Sequence, residues 1–269
     1  MRQETDFLVL GSGIAGLTFA LKVASFGRVI LITKATEEES NTKYAQGGIA
    51  GVLQGDDTFE NHVADTMTAG AGLCDEHIVR MVVTEGAQRI REIIDWGTRF
   101  DKQADGSFDL AREGGHSHHR VLHYKDSTGN EIERALLAEV HRHPSITVHT
   151  NYFAVDLITQ HHLGTEVKRG MPGIVCYGAY VLNTITGKVD TVLSKVTFVA
   201  TGGVGQIYKT TTNPVIATGD GIAMVYRAKG RVKDMEFIQF HPTALYNPGE
   251  SPAFLVSEAV RGFGAVLKT

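Results

Sequence analysis

The sequence predicts an α/β fold, with a parallel sheet near the N-terminus and an antiparallel β-meander further along the chain. Residues 6–10 and 29–32 are short runs that are apolar throughout except for Asp6, which is typical of parallel strands buried on both faces. Residues 14–26 between them have helical spacing, so these three segments form a βαβ unit. From residue 146 to residue 200 the hydrophobic period changes to two, which indicates an antiparallel sheet.

The remaining elements follow from the same patterns. Residues 33–56 and 97–126 are predicted to be loops, the second rich in Gly, His and Arg. Helices are predicted over 58–69, 75–96, 128–141 and 219–228, and strands over 147–150, 153–158, 174–182 and 189–200. We expect the second of these helices to be broken or bent near Gly86, and Thr128 to cap the third.

Composition and charge favour some partners over others. The formal net charge of −4 gives no reason to expect a nucleic acid or a membrane surface as partner. The sequence has no apolar run of the ~18–20 residues that span a bilayer, and its N-terminus has no signal-peptide pattern. Cys74 and Cys176 lack metal-binding spacing and are expected to be reduced and buried. We therefore expect a cytoplasmic location.

The first predicted strand leads directly into the motif Gly11-x-Gly13-x-x-Gly16. The first glycine permits a tight turn, the second lets the backbone approach a pyrophosphate, and the third allows the helix to pack closely on the strand. The amide groups at the start of the helix attract an anion. Because the motif lies between a strand and a helix, it predicts a dinucleotide-binding site rather than an accidental glycine turn.

One position departs from the simple NAD-binding pattern. The acidic residue expected at the end of the second strand is replaced by Thr33 and Lys34. A later apolar strand ends in Ala200-Thr201-Gly202-Gly203, which brings a second backbone segment to the same nucleotide. Asp220, at a helix start, is placed to supply the missing carboxylate, although an ordinary helix N-cap is the alternative. With the β-meander, these features favour an FAD site over a short NAD unit.

Five motifs occur in a characteristic order, and they are listed here as they stand in the sequence: Tyr44-Ala-Gln46-Gly47-Gly48, Arg112-Glu113-Gly-Gly-His116-Ser-His118, Ala200-Thr-Gly-Gly203, Thr218-Gly-Asp-Gly221 and Gln239-Phe-His241-Pro-Thr243. With them, residues 6–267 resemble the succinate dehydrogenase/fumarate reductase flavoprotein superfamily, and most of all its L-aspartate oxidase family. The resemblance implies an FAD-binding Rossmann-like domain of the glutathione-reductase type with inserted helices and a β-meander. We expect this domain to span 1–237, and the beginning of an α+β capping domain to span 238–269.

The resemblance implies FAD as cofactor, held without a covalent bond. Membrane-linked members of the superfamily attach FAD through a histidine five residues before the Gln of the Gln-Gly-Gly motif, and Asn41 stands at that position here. The residues implied to bind the cofactor are Gly11, Ser12, Gly13, Ala15, Gly16, Thr33, Lys34, Thr42, Ala45, Gln46, Gly47, Gly48, Val155, Ala200, Thr201, Gly202, Asn213 and Asp220.

The resemblance also implies the oxidation of L-aspartate to iminoaspartate with O₂ or fumarate as acceptor, the first step of de novo NAD biosynthesis. Glu113 is implied to recognise the substrate ammonium group, which would discriminate L-aspartate from succinate. His241 is implied to donate to a substrate carboxylate, and Ser257 and Glu258 to line the same catalytic site. The implied partners are L-aspartate, fumarate or other small dicarboxylates, with a functional link to quinolinate synthase.

A group of histidines follows Glu113, and no metal site is expected there. Their spacing is too irregular for one helix face, and two neighbouring arginines would repel a cation. Surface positions or the lining of a dicarboxylate site account for them better. The histidines are His116, His118, His119 and His123, and the arginines are Arg112 and Arg120.

Two other functions are left open by the sequence: a fumarate reductase or succinate dehydrogenase flavoprotein, and a non-catalytic FAD-binding fragment. Asn41 and Glu113 argue against the first. Residues 255–267 have the pattern of a segment that continues past the last residue, and several residues of the family's substrate site lie beyond it. We therefore expect a truncated chain that does not turn over alone. Phe263 stands where the family has a glutamate, so a polar contact is expected to be missing there.

Overall fold

The computed structural model describes residues 2–53, 55–241, 243–256, 260, 265–266 and 268. The chain divides into two compact units, which are called unit 1 and unit 2. Unit 1 consists of Met1–Tyr44 and Leu136–Leu255, and unit 2 of Ala45–Ala135 and Val256–Thr269. The domain boundary expected after residue 237 stays a prediction.

The regular elements of the described residues are as follows. The strands are β1 (Arg2–Leu10), β2 (Val29–Ile32), β3 (Ile49–Ala50), β4 (Leu110–Ala111), β5 (Val121–Leu122), β6 (Ile146–His149), β7 (Tyr152–Thr159), β8 (Cys176–Asn183) and β9 (Lys188–Val199). The helices are α1 (Ile14–Val23), α2 (Phe59–Ala69), α3 (Glu76–Asp95), α4 (Thr128–Arg142) and α5 (Asp220–Arg227). In this part of the chain no helix combines the length and the apolar character needed to cross a membrane.

Unit 1 is built on a six-stranded sheet with the strand order β6-β2-β1-β9-β8-β7. The pairs β6–β2, β2–β1 and β1–β9 are parallel, and β9, β8 and β7 form an antiparallel meander. All four residues of β2 are buried, as expected for a strand covered on both faces. The predicted α/β sheet, with its parallel N-terminal part and its meander, is therefore confirmed.

A hydrophobic core cluster of unit 1 lies on one face of this sheet. Alternate residues of a strand point to the same face, so β1 and β2 each contribute two large aliphatic side chains to this core. Each such side chain stabilises the fold by about 1.5–3 kcal/mol when it is fully buried. The buried members of the cluster are Leu8, Leu10, Ile30, Ile32, Leu157, Ala179, Val181, Val192 and Met224.

Unit 2 contains helices α2 and α3, which pack against each other, and a small antiparallel sheet of order β3-β5-β4. Thr58 caps α2 by accepting a hydrogen bond from the amide of Asn61. Asp75 caps α3 in the same way, through the amides of His77 and Ile78. The buried face of α3 consists of Val83, Ala87, Ile90 and Ile93.

Three details of the predicted elements are wrong. The predicted break in α3 is wrong, since the helix continues through Gly86, because one glycine in a helix costs only about 1 kcal/mol. Thr128 is the first residue inside α4, and its hydroxyl accepts from the amide of Tyr124, which precedes the helix. Strands β3, β4 and β5 lie in segments predicted as loops, because strands of two residues are too short to show an alternating pattern.

Candidate functional site

Unit 1 contains a cavity of about 450 Å³ at the carboxyl ends of the parallel strands β1, β2 and β9. This edge is where open α/β sheets bind their ligands. The residues that line it are Leu10, Gly11, Ser12, Gly13, Ile14, Ala15, Ile32, Thr33, Lys34, Glu39, Ser40, Asn41, Thr42, Tyr152, Phe153, Ala154, Ala200, Thr201, Gly202, Gly203, Asn213, Ile216 and Asp220.

The turn between β1 and α1 forms one side of the cavity, and it depends on two glycines. Gly11 has φ +113°, a conformation that side chains with a Cβ rarely adopt, and a Cβ there would overlap the carbonyl oxygen of Ala200. A Cβ on Gly16 would overlap the carbonyl oxygen of Gly11. These two positions therefore let α1 and the end of β9 approach the end of β1 closely.

The first turn of α1 borders the cavity through Gly13, Ile14 and Ala15. Gly13 is the extended N-cap residue, and no side chain caps the helix from that position. One amide of this turn has a partner inside the protein, since the amide of Ile14 donates to Thr42 Oγ1 at 3.0 Å. The positive end of the helix favours an anionic group, such as a phosphate, at this side of the cavity.

Lys34, which replaces the expected acidic residue after β2, is bound to the start of α5. Its Nζ donates to Asp220 Oδ2 at 2.5 Å and to Thr218 Oγ1 at 2.6 Å. The Thr218 hydroxyl in turn donates to Asp220 Oδ1 at 2.8 Å. A distant part of the chain thus supplies a carboxylate beside the end of β2. The N-cap residue of α5 is Gly219, so the alternative that Asp220 is an ordinary N-cap is wrong.

The end of β9 is fixed against both β1 and α5. The amide of Ala200 donates to the carbonyl oxygen of Leu10 at 2.8 Å. The amide of Gly221 donates to Thr201 Oγ1 at 3.0 Å. Gly202 has φ +72° and lies beside the side chain of Asn41. The segment 200–203 therefore lines the cavity with backbone and small side chains, as its sequence predicted.

Asn41 provides a test of whether a polar cofactor fits the cavity. Its side-chain oxygen is buried, accepts no hydrogen bond from the described protein atoms and belongs to a residue that lines the cavity. A buried polar atom of this kind is costly unless it finds a partner. The cavity therefore combines an unsatisfied acceptor, a helix N-terminus and the Lys34–Asp220 pair, and this set of groups fits the nucleotide part of FAD.

Most of the predicted cofactor residues line this cavity, and six do not. Gly16 packs against the backbone of Gly11. Val155 is the next residue after Phe153 and Ala154, both of which line the cavity. The other four, Ala45, Gln46, Gly47 and Gly48, belong to unit 2. Sequence reasoning missed several lining residues, among them Tyr152, Phe153 and Ile216. Strand β7 begins only two residues after β6 ends. This short connection is the signal in the sequence that the start of β7 lies near the end of β6.

The predicted substrate residues lie in different parts of the structure. Glu113 is half-buried in the loop between β4 and β5, in unit 2. His241 is exposed, in unit 1, next to Phe240, whose ring packs edge-on against Tyr208. Ser257 and Glu258 lie outside the described residues, as does Phe263.

Three of the four histidines after Glu113 face partners within the protein. His118 Nδ1 lies 3.6 Å from Asp57, and His123 Nδ1 lies 3.2 Å from Asp101. His116 Nδ1 lies 3.2 Å from the guanidinium of Arg120. Their partners are thus an arginine and aspartates rather than one another. The described residues contain no group of three or more His, Cys, Asp or Glu side chains able to hold a metal ion.

Comparison with known proteins agrees with this geometry. Residues 6–269 match the family described as FAD binding domain. L-aspartate oxidase 2-a, chloroplastic, of Nicotiana tabacum is 52% identical over 97% of this chain and 40% of its own length. L-aspartate oxidase of Vibrio cholerae is 46% identical over 98% of this chain and 49% of its own length. The chain thus spans less than half of the length of these curated relatives.

Solved structures give the same result for the fold. A variant of E. coli quinol fumarate reductase FrdA superimposes with a TM-score of 0.87 at 30% identity, over 98% of this chain and 43% of that one. The open conformation of a flavocytochrome c3 fumarate reductase gives 0.80 at 28% identity, over 98% of this chain and 46% of that one. The chain therefore belongs to the FAD binding domain family, and within it the chain is a homologue of the L-aspartate oxidases.

Proposed function

We propose that the chain binds FAD noncovalently in the unit 1 cavity, and that the whole protein oxidises L-aspartate to iminoaspartate with O₂ or fumarate as acceptor. The observation that carries the proposal is the cavity itself, at the carboxyl edge of the parallel strands. Identities of 46% and 52% to L-aspartate oxidases support the choice of substrate. FAD, when bound, supplies the two-electron redox chemistry.

The residues of this chain bind and orient the reactants. In unit 1, Lys34 and Asp220 provide a charged pair and Asn41 a free acceptor for the polar groups of the cofactor. Asn41 has no imidazole, and this supports a noncovalent complex. Glu113 would accept from the α-ammonium of L-aspartate, and His241 would donate to a carboxylate, with Ser257 and Glu258 as further substrate groups.

The finer statements about partners and setting are part of the same proposal. Fumarate and other small dicarboxylates would compete with L-aspartate, because they share its two carboxylates. The product would pass to quinolinate synthase in NAD biosynthesis, and the protein would act in the cytoplasm without nucleic-acid partners. The FAD-binding domain would span 1–237, and a capping domain would begin at 238.

Reconstitution with FAD tests the cofactor proposal. The purified chain is incubated with FAD, dialysed and then precipitated with acid. We expect a yellow protein after dialysis and free flavin in the acid supernatant. A colourless protein after dialysis would contradict FAD binding, and flavin that stays in the precipitate would contradict a noncovalent complex.

Ligand binding separates the proposed substrate from the second candidate, a fumarate reductase or succinate dehydrogenase flavoprotein. That candidate is kept because solved fumarate reductases superimpose closely on the chain. Binding of L-aspartate and of succinate to the FAD-loaded whole protein is measured by titration calorimetry. We expect tighter binding of L-aspartate, because Glu113 can pair only with a ligand that carries an ammonium group. Tighter binding of succinate would favour the second candidate.

A further inference from the structure

Among the described residues of unit 2, Arg120 has the most buried charged side chain; it lies directly before β5 and is 1% exposed. Its Nε and Nη2 donate to the two carboxylate oxygens of Asp57 at 2.6 and 2.9 Å. Its Nη1 donates to Asp65 Oδ2, on helix α2, at 2.6 Å. The side chain of Asp57 is 2% exposed and that of Asp65 is 18% exposed. This group of three is called the Arg120 cluster.

The Arg120 cluster is held in its charged form by strong mutual bonds. Burial by itself raises the pKa of Asp65, but hydrogen bonds from Ser117 and Arg120 outweigh burial and lower that pKa to about 2. Burial likewise opposes the charged form of Asp57, whose pKa is nevertheless lowered by Arg120. A planar guanidinium that bridges two carboxylates fixes the orientation of both carboxylates as well as pairing their charges. A lysine ammonium group pairs the charge but does not fix the orientation in this way.

Residues 112–119 lie in the loop between β4 and β5. The second half of this loop is hydrogen-bonded to the Arg120 cluster. The amide and the hydroxyl of Ser117 both donate to Asp65 Oδ2 at 2.8 Å. Arg120 Nη2 also approaches Ser117 Oγ, at 3.4 Å. His116 faces Arg120 Nη1 at 3.2 Å, and His118 faces Asp57 at 3.6 Å. Three consecutive residues of the loop are therefore fixed by one buried arginine and its two partners.

Glu113 is joined to this fixed segment by a tight turn. The amide of His116 donates to the carbonyl oxygen of Glu113 at 3.2 Å, and Gly115 within the turn has φ +85°. The carboxylate of Glu113 lies beside Gly47, with Oε1 3.7 Å from the place that a Cβ on Gly47 would occupy. The position of Glu113 beside Gly47 thus depends on where His116 and Ser117 are held.

We propose that Arg120 is a positioning residue for Glu113, because its bridge between Asp57 and Asp65 fixes loop 112–119 and with it the carboxylate that recognises the substrate ammonium. This inference rests on the proposed function for the role of Glu113. Arg120 acts through the loop, because its guanidinium donates to Asp57, Asp65 and Ser117 within the protein. Loss of Arg120 should therefore weaken the preference for L-aspartate over succinate without weakening FAD binding.

Amide hydrogen exchange tests the structural half of the proposal in the FAD-loaded chain. Arg120→Met removes the guanidinium at similar length, and Arg120→Lys keeps a charge without the fork. We expect amides of loop 112–119 to exchange about tenfold faster or more in Arg120→Met, with a smaller effect in Arg120→Lys. Arg134→Met is the matched control, because Arg134 pairs with Glu131 and the Gly97 carbonyl in the same unit. Unchanged exchange of the loop in Arg120→Met would overturn the proposal.

Ligand discrimination tests the functional half. The ratio of the Kd for succinate to the Kd for L-aspartate is measured by calorimetry on the FAD-loaded whole protein, for the wild type, Arg120→Met, Glu113→Gln and the double variant. We expect each single variant to lower the ratio by about tenfold, and the double variant to lower it no further, because both changes remove the same interaction. Succinate affinity and FAD affinity should stay within about twofold of the wild type, which a general loss of structure would not allow.

The remaining outcomes separate this inference from the proposed function. If Glu113→Gln lowers the ratio and Arg120→Met leaves it unchanged, the positioning role is wrong and the proposed substrate stands. If the wild type shows no preference for L-aspartate, the proposed substrate is wrong. The hydrogen-exchange measurement by itself then decides whether Arg120 fixes the loop, through faster exchange at residues 113–117 in Arg120→Met. If Arg120→Met does not fold, Arg120→Lys replaces it in both measurements.

Discussion

At the scale of single residues, the Lys34–Asp220 pair shows how a missing side chain is replaced. Many dinucleotide sites have an acidic residue directly after the second strand. Here that position holds a lysine, whose ammonium group binds a carboxylate from the start of α5. Lys34 is also 5.9 Å from the ring centroid of Phe153, another residue of the cavity. The cavity therefore has both a positive and a negative group at the end of β2.

Removal of either partner should weaken FAD binding. Lys34→Met and Asp220→Asn each leave a charged group without its partner, and we expect the Kd for FAD to rise about tenfold or more, as for loss of a charge-assisted hydrogen bond. The Kd is measured by quenching of flavin fluorescence. Lys195→Met is the matched control, since Lys195 pairs with Asp6 in the same unit and does not line the cavity. Equal effects of Lys34→Met and Lys195→Met would contradict the assignment of the cavity to FAD.

At the scale of the elements, the contrast between two helical glycines shows what helix α1 requires. Gly16 in α1 has no room for a Cβ, because the carbonyl oxygen of Gly11 occupies the place. Gly86 in α3 has nothing within 4 Å of a Cβ. The same substitution should therefore have opposite effects on the two helices.

We expect Gly16→Ala to lower the free energy of unfolding by about 1–3 kcal/mol or more, as overpacking does. We expect Gly86→Ala to raise it by about 0.5–1 kcal/mol, because alanine is the better helix former. Urea unfolding followed by circular dichroism measures both. A stabilising Gly16→Ala would mean that α1 does not pack on the β1 turn as described.

The small sheet of unit 2 marks the limit of prediction at this scale. Its three strands have two residues each, and they are held by pairing with distant segments, as where Ile49 pairs with Leu122. No local pattern in residues 33–56 or 97–126 indicates such pairing. Strand β2 has its predicted bounds and β9 differs from its prediction by one residue at each end, whereas β1 begins at Arg2 rather than at residue 6. The first half of β1 is polar and exposed or half-buried at most positions, so it lacks the apolar run that marks a strand buried on both faces.

At the scale of the whole molecule, two histidines, His62, which is buried, and His149, which is half-buried, should make the fold sensitive to mild acid. Burial, together with the nearby Arg120 and His116, lowers the pKa of His62, and burial lowers the pKa of His149. Below pH 6.5 the unfolded chain binds protons at these positions and the folded chain resists them. The stability is therefore complete above pH 6.5 and falls as the pH drops below it.

We expect the free energy of unfolding to fall between pH 7 and pH 5, by at most about 1.4 kcal/mol per pH unit for each of the two histidines. His62→Phe and His149→Phe should each reduce this dependence, whereas His161→Phe, at an exposed position, should not. Urea unfolding at three pH values is the measurement. A pH dependence that is the same in all three variants would show that other groups cause it.

The sequence by itself determined the βαβ start, the meander, the cofactor class and the family, because each is encoded in local periodicity or in motifs with fixed spacing. It also predicted twelve of the residues that line the cavity, from Gly11 to Asp220. Only the tertiary structure showed that Asp220 reaches Lys34, that Asn41 keeps an unsatisfied oxygen, and that Arg120 bridges Asp57 and Asp65. Each of these depends on contacts between residues far apart in the chain, and such contacts form only when packing brings the strands and loops together.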